Sequence, residues 1–165
     1  MNAISKSILQ DFEYYTCVRD LIESDVVKQM DLYIQHGKTT TLDHCIRVSY
    51  HAYKISKKLH MDYVSTARGA LLHDLFLYDW HQRPKGDKLF EKHGYTHPMT
   101  AYNNASKYFS LNNKEKDIII KHMWPLTLRK VPRHKESFLV SLIDKYSSVA
   151  ETLVPAFEKI SDYLL

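Results

Sequence analysis

The chain is short of the residues that punctuate β structure and that cross-link secreted domains: it has four glycines and two cysteines in 165 residues. Scattered glycines in that number exclude a Gly-rich phosphate loop and argue against a turn-rich all-β chain. Cys17 and Cys45 form no CxxC pair, so no disulfide framework is expected. That suits a reducing compartment, the cytoplasm. No apolar run approaches the ~20 residues of a membrane span. The opening MNAISKSILQDF has no apolar stretch of the signal-peptide kind. GxSxG and other signatures of covalent catalysis are absent. There is also no long run of Lys and Arg. The 23 basic residues exceed the 19 acidic ones by four, a mild excess that fits an anionic small molecule. Neither nucleic acid nor a membrane is expected as a partner.

Among the residues that are present, ten histidines are the one unusual count. The apolar share of 44% is ordinary for a globular chain, and the length suits a single domain over 1–165. Hydrophobic periodicity predicts an all-α helical bundle. Residues 1–16 read as a short helix or an arm. Val18, Leu21, Ile22, Val26, Met30 and Ile34 repeat at helical spacing, with Gly37 as the closing cap. Thr40 to Asp43 offer N-caps for a helix reaching Leu59. A further helix is predicted from about Asp62 to Tyr78, and residues 79–95 read as a long polar loop. A helix starts near His97-Pro98, with Pro98 in its first turn. Another starts at Asn112 or Asn113 and ends near His122. Residues 126–135 form a basic connection, and two last helices cover 136–152 and 154–164. No strand pattern competes.

Chemistry enters where polar residues interrupt apolar runs. Asp74 sits inside Leu71-Leu72-His73-Asp74-Leu75-Phe76-Leu77, and Asp144 follows Phe138-Leu139-Val140-Ser141-Leu142-Ile143. His122 follows Ile118-Ile119-Ile120. An isolated buried charge costs many kcal/mol, so such a carboxylate is paired or bound to metal. One metal ion would satisfy residues from several helices together, and imidazole with carboxylate suits Mn, Fe, Co, Ni or Zn. Taken one at a time, each residue also has a plain structural reading as a packed histidine, a cap or an ion-pair partner.

His44, His73-Asp74 and Asp144 resemble the H…HD…D pattern of the HD-domain superfamily. His44-Cys45-Ile46-Arg47-Val48 is similar to that family's HxxRV helix, and Ala70-Leu71-Leu72-His73-Asp74 to its ALLHD segment. The resemblance runs from about residue 38 to 152. His97-Pro98-Met99-Thr100-Ala101 resembles the HPxxG segment of HD-GYP domains, with Ala for Gly. The resemblance implies that His44, His73, Asp74 and Asp144 hold one metal. Asp74 would then bridge to a second metal held by His97 and His122. It implies a metal-dependent phosphohydrolase that uses metal-bound hydroxide on a phosphomonoester or phosphodiester. The substrate would be small and phosphorylated, anionic or nucleotide-like, and the cofactor one or two divalent ions, Fe or Mn before Zn, Ni or Co. Two alternatives stay open: a di-iron oxygenase of the inositol-oxygenase kind, and a non-catalytic metal-binding sensor domain.

Departures from the pattern limit the transfer. Leu77 replaces the Lys of HDxGK members, and Leu77 and Tyr78 stand where HDxxE and HDxxED members carry acids. The GYP signature is also absent. Cyclic-dinucleotide, deoxynucleotide and alarmone specificity are therefore not carried over. Asp74, Lys145 and Arg47 are the candidate catalytic residues. Lys145 would face a phosphate unless it is simply solvated or ion-paired. Arg47, one turn after His44, would support the site or only the helix. Asp79 is a weaker acid/base candidate, and His93 a rival for the role of His97. Arg83, Lys85 and Lys88, with Arg129, Lys130, Arg133 and His134, could attract an anion or be solvated loop charges. His36, His51, His60 and His81 read as surface or packing residues, and Cys45 as core.

Overall fold

Short polar side chains start most of the helices. The computed structural model describes residues 1–82 and 92–164, with side chains as far as Leu153. Its helices are α1 (Ala3–Ile8), α2 (Phe12–Ile22), α3 (Asp25–Lys28), α4 (Thr41–Lys58), α5 (Tyr63–Leu72), α6 (His93–Tyr108), α7 (Asn113–Lys121) and α8 (Lys135–Leu164). Asn2, Asp11, Ser24, Thr40, Asp62 and Asn112 each accept a hydrogen bond from a first-turn backbone N–H. Asn112 N–H in turn donates to the Glu115 carboxylate, which completes a capping box. His60 closes α4 in the left-handed region, with φ 52°. Met61 N–H donates to the Ser56 carbonyl and His60 N–H to that of Lys57. No described helix is long and apolar enough to cross a membrane.

The arrangement is all-α, as the periodicity predicts, with α5 at its centre. Ser65, Thr66, Ala67, Gly69, Ala70, Leu71 and Leu72 of α5 are all buried, and the helix packs on α2, α4, α6, α7 and α8. One apolar cluster joins Tyr14, Leu21 and Met30 to Ile46, Tyr53, Leu71 and Leu75. A second joins Val48, Ala52 and Ala70 to Ile118, Val140 and Ile143.

Several expected boundaries move. The single helix expected over 18–34 ends at Ile22, because Ser24 accepts from Val27 N–H and restarts the chain as α3. A 3-10 turn (Gln29–Leu32) then leads into strands β1 (Ile34–His36) and β2 (Thr39–Thr40), a short antiparallel hairpin that the sequence reading did not anticipate. Gly37 serves its tight turn, at φ 56°, rather than capping a helix. The helix expected to run to Tyr78 stops at Leu72, and His73 is its C-cap. The helix expected to start near His97 begins four residues earlier, so Pro98 lies inside it. The two last helices are one, α8, which runs on through Pro155.

Two contacts set where α7 and α8 lie. A Cβ placed on Gly69 of α5 would sit 2.8 Å from Ile118 Cδ1 and 3.0 Å from Ile118 Cβ on α7, so the crossing of these helices requires glycine. Asp117 of α7 holds the start of α8: its Oδ2 accepts from Arg133 N–H at 2.8 Å, His134 N–H at 3.3 Å and Ser137 Oγ at 2.7 Å.

Gly69→Ala is expected to destabilise by about 1 kcal/mol net in urea unfolding. Overpacking of roughly 1–3 kcal/mol outweighs a helical gain of about 1 kcal/mol. Unchanged or increased stability would show that the crossing has slack. Asp117→Ala is expected to cost about 2 kcal/mol at pH 7, since it strands buried backbone donors. Burial raises the Asp117 carboxyl, but Lys121, the Arg133 N–H and Ser137 outweigh it and leave it below the usual range. The stabilisation is therefore present above the unfolded value of about 3.9 and is lost as pH falls through the lower folded value. The gap between wild type and variant should close below about pH 4 in thermal melts.

Candidate metal centre

Four helix segments bring the histidines to one point. His73 and His122 are the C-caps of α5 and α7, four residues beyond the Gly69–Ile118 crossing. A helix C-terminus leaves carbonyls without partners, and each ring folds back onto one. His73 Nδ1 donates to the Ala70 carbonyl at 2.7 Å, and His122 Nδ1 to that of Ile119 at 2.9 Å. On α6, His97 Nδ1 donates to the His93 carbonyl at 2.8 Å. On α4, His44 Nδ1 donates to Glu151 Oε2 of α8 at 2.9 Å. With Nδ1 carrying the proton in each, all four Nε2 atoms turn to the same interior space.

Two carboxylates meet them there. Asp144 Oδ1 lies 3.2 Å from His44 Nε2 and 3.6 Å from His73 Nε2. Asp74 Oδ2 lies 3.4 Å from His73 Nε2, and its Oδ1 lies 3.1 Å from His97 Nε2 and 3.5 Å from His122 Nε2. The ring nitrogens of His97 and His122 are 2.7 Å apart. All six residues are at most 6% exposed. The structure thus brings together the six residues singled out by sequence.

The donor chemistry fits a metal. His44, His73 and Asp144 form one group of converging ligand atoms, and His73, Asp74 and His122 a second, with His97 against the latter. Ligand atoms about 2.0–2.2 Å from a shared ion lie roughly 3 Å from one another, which these distances approach. His73 Nε2 and Asp74 Oδ1 are buried, yet no hydrogen bond satisfies either. Two neutral imidazoles with lone pairs facing at 2.7 Å repel unless a proton or a cation lies between them.

Electrostatics point the same way. Burial pushes His44 down, but Asp144 and Glu151 outweigh it and raise the imidazole to about 10. His73 is also raised, Asp74 and Asp144 overcoming its burial. Burial raises both carboxyls, and the imidazoles around them hold them far below the usual range. Burial and the nearby His73 lower His122 to about 3. Without an ion, the protons on His44 and His73 compensate the carboxylates.

Among the remaining candidates, Lys145 Nζ lies 3.7 Å from Asp144 Oδ2. Lys145 Nζ donates to the His122 carbonyl at 2.7 Å and to the carbonyl and hydroxyl of Ser141 at 3.2 Å each, so it is tied to the protein and braces the end of α7. Arg47 reaches Glu151 Oε1 at 3.1 Å and so acts on His44 through that carboxylate. His93 does not take the place of His97: its ring stacks on His97 at 4.5 Å, and Tyr78 OH lies 3.1 Å from its Nδ1. Asp79 Oδ1 accepts from His81 N–H at 2.9 Å, a local turn contact. Cys45 is fully buried, its Sγ 3.7 Å from His73 Nδ1. His36, read as surface or packing, lies against the site, its ring centroid 5.6 Å from that of His44. Arg83, Lys85 and Lys88 lie outside the described residues.

Sequence reasoning missed two residues. Gln35 of β1 donates from Nε2 to Asp74 Oδ2 at 2.6 Å, and its segment had been read as helix. Glu151 is buried two helical turns after Asp144, on the same face of α8. That i, i+7 spacing was the available signal.

A helical bundle with paired His/Asp clusters at its centre defines the class. The HD domain family model matches residues 41–149, and the chain belongs to that family. HD domains are generally metal-dependent hydrolases. No curated protein and no solved structure matches the chain.

Lys145→Met is expected to lower stability by about 1–2 kcal/mol in urea unfolding with chelator present, through loss of charge-assisted hydrogen bonds. Wild-type stability would show instead that the ammonium is free to serve a ligand.

Proposed function

We propose that this chain hydrolyses a phosphomonoester or phosphodiester in a small anionic or nucleotide-like substrate, using two divalent transition-metal ions held in the buried centre. The observation that carries this reading is Asp74. Its two oxygens face different imidazoles, so one carboxylate spans two adjacent donor sets.

His44, His73 and Asp144 would hold one ion, and His97 and His122 the other, with Asp74 between them. When bound, such ions lower the pKa of a water toward neutrality and polarise a phosphoryl oxygen. The chain supplies orientation: backbone carbonyls fix the ring directions of His73, His97 and His122, and Gln35 fixes the carboxyl plane of Asp74. Burial excludes bulk water, which strengthens each electrostatic contact inside. Iron and manganese are favoured for this imidazole and carboxylate set, with zinc, nickel and cobalt also compatible.

The test is metal content by plasma mass spectrometry, joined to turnover on a phosphoester panel. About two ions per chain are expected. His73→Ala and Asp74→Ala should abolish turnover and strip the centre, and His97→Ala or His122→Ala should remove only one ion. Full metal content in Asp74→Ala, or no rebinding of Mn, Fe, Co, Ni or Zn to stripped protein, would refute the proposal.

A further inference from the structure

Three of the four converging histidines donate Nδ1 to a neutral backbone carbonyl. His44 alone donates to a carboxylate, Glu151 Oε2, at 2.9 Å. The Glu151 side chain is fully buried. Its other oxygen lies 3.1 Å from the Arg47 guanidinium without forming a hydrogen bond of normal geometry. Burying an acidic side chain with so few polar partners costs free energy, so this glutamate has a use beyond packing. A carboxylate behind a ligating imidazole raises its basicity and fixes its tautomer and plane.

The two halves of the centre therefore differ. The His44 half has Asp144 in front and Glu151 behind. The His97 and His122 half shares Asp74 and has only neutral carbonyls behind its rings. We propose that Glu151, with the Arg47 guanidinium against its other oxygen, is a positioning residue for His44, and that it makes the His44 half the tighter of two positions for a divalent transition metal. The inference rests on the metal reading above and assigns an order of loading within it.

The experiment is calorimetric titration of chelator-stripped full-length protein with Mn2+. Glu151→Gln keeps an acceptor for Nδ1 and removes only the charge. It is expected to weaken the tighter ion by about 10–100-fold and leave the weaker one unchanged. The same loss should appear for the ion remaining in His97→Ala and vanish in His44→Ala, since the effect runs through His44. Glu151→Asp, which retains the charge on a shorter arm, should give a smaller loss on the same ion and replaces Glu151→Gln should that variant not fold. If wild type takes up only one ion, that ion should be lost in His44→Ala and weakened in Glu151→Gln. Equal weakening of both ions, no weakening, or an effect that persists in His44→Ala would overturn the inference while leaving the metal centre intact. No Mn2+ uptake by wild type would instead remove the metal reading, and this inference with it.

Discussion

A charged Asp74 at the end of the central helix is the constraint on which the site depends. A carboxylate that is 2% exposed cannot stand alone in an apolar interior. Its partners come from four elements: His73 from the end of α5, His97 from α6, His122 from the end of α7 and Gln35 from β1. Apart from the neighbouring His73, each partner is brought by an element distant in sequence. The small hairpin, which contributes little to the core, places the Gln35 amide against this carboxylate.

The direction of the imidazoles follows from helix termini rather than from any special loop. A side chain at a helix C-cap can reach the orphan carbonyl three residues back, and His73 and His122 both do so. Satisfying that carbonyl uses Nδ1–H and points Nε2 away from the helix. Because α5 and α7 cross at Gly69 and Ile118, four residues before each histidine, the two rings are brought to 4.8 Å. A missing Cβ at Gly69 thus sets the spacing of donors one helical turn away.

The all-α class and the six converging residues were legible in the sequence because each left a mark: apolar stripes at helical spacing for the fold, polar residues inside apolar runs for the site. The ends of elements were less so. The run from Leu71 to Leu77 is apolar throughout, and nothing in it tells a buried helix from a buried extended segment. In the structure α5 stops at Leu72 because His73 caps it through its own side chain. Gln35 was hidden by an apolar spacing that suggested one helix, which Ser24 breaks by capping its own short turn. Glu151 was hidden because a glutamate near the end of a helix ordinarily faces water, and only the packing of α8 on α4 shows that this one does not.

The fate of the cations narrows how a phosphorylated substrate would be neutralised under the proposed reading. Leu77 occupies the position of the lysine in HDxGK members, and it packs against the main apolar cluster. Lys145 is committed to the His122 carbonyl and Ser141, and Arg47 to Glu151. Both cations thus contact groups that brace or back the donor set. Bound ions would be the largest local charges such a centre can offer a phosphate. Anything that tunes their affinity, as the carboxylate behind His44 is proposed to do, would therefore act on substrate binding and on turnover through the same interaction.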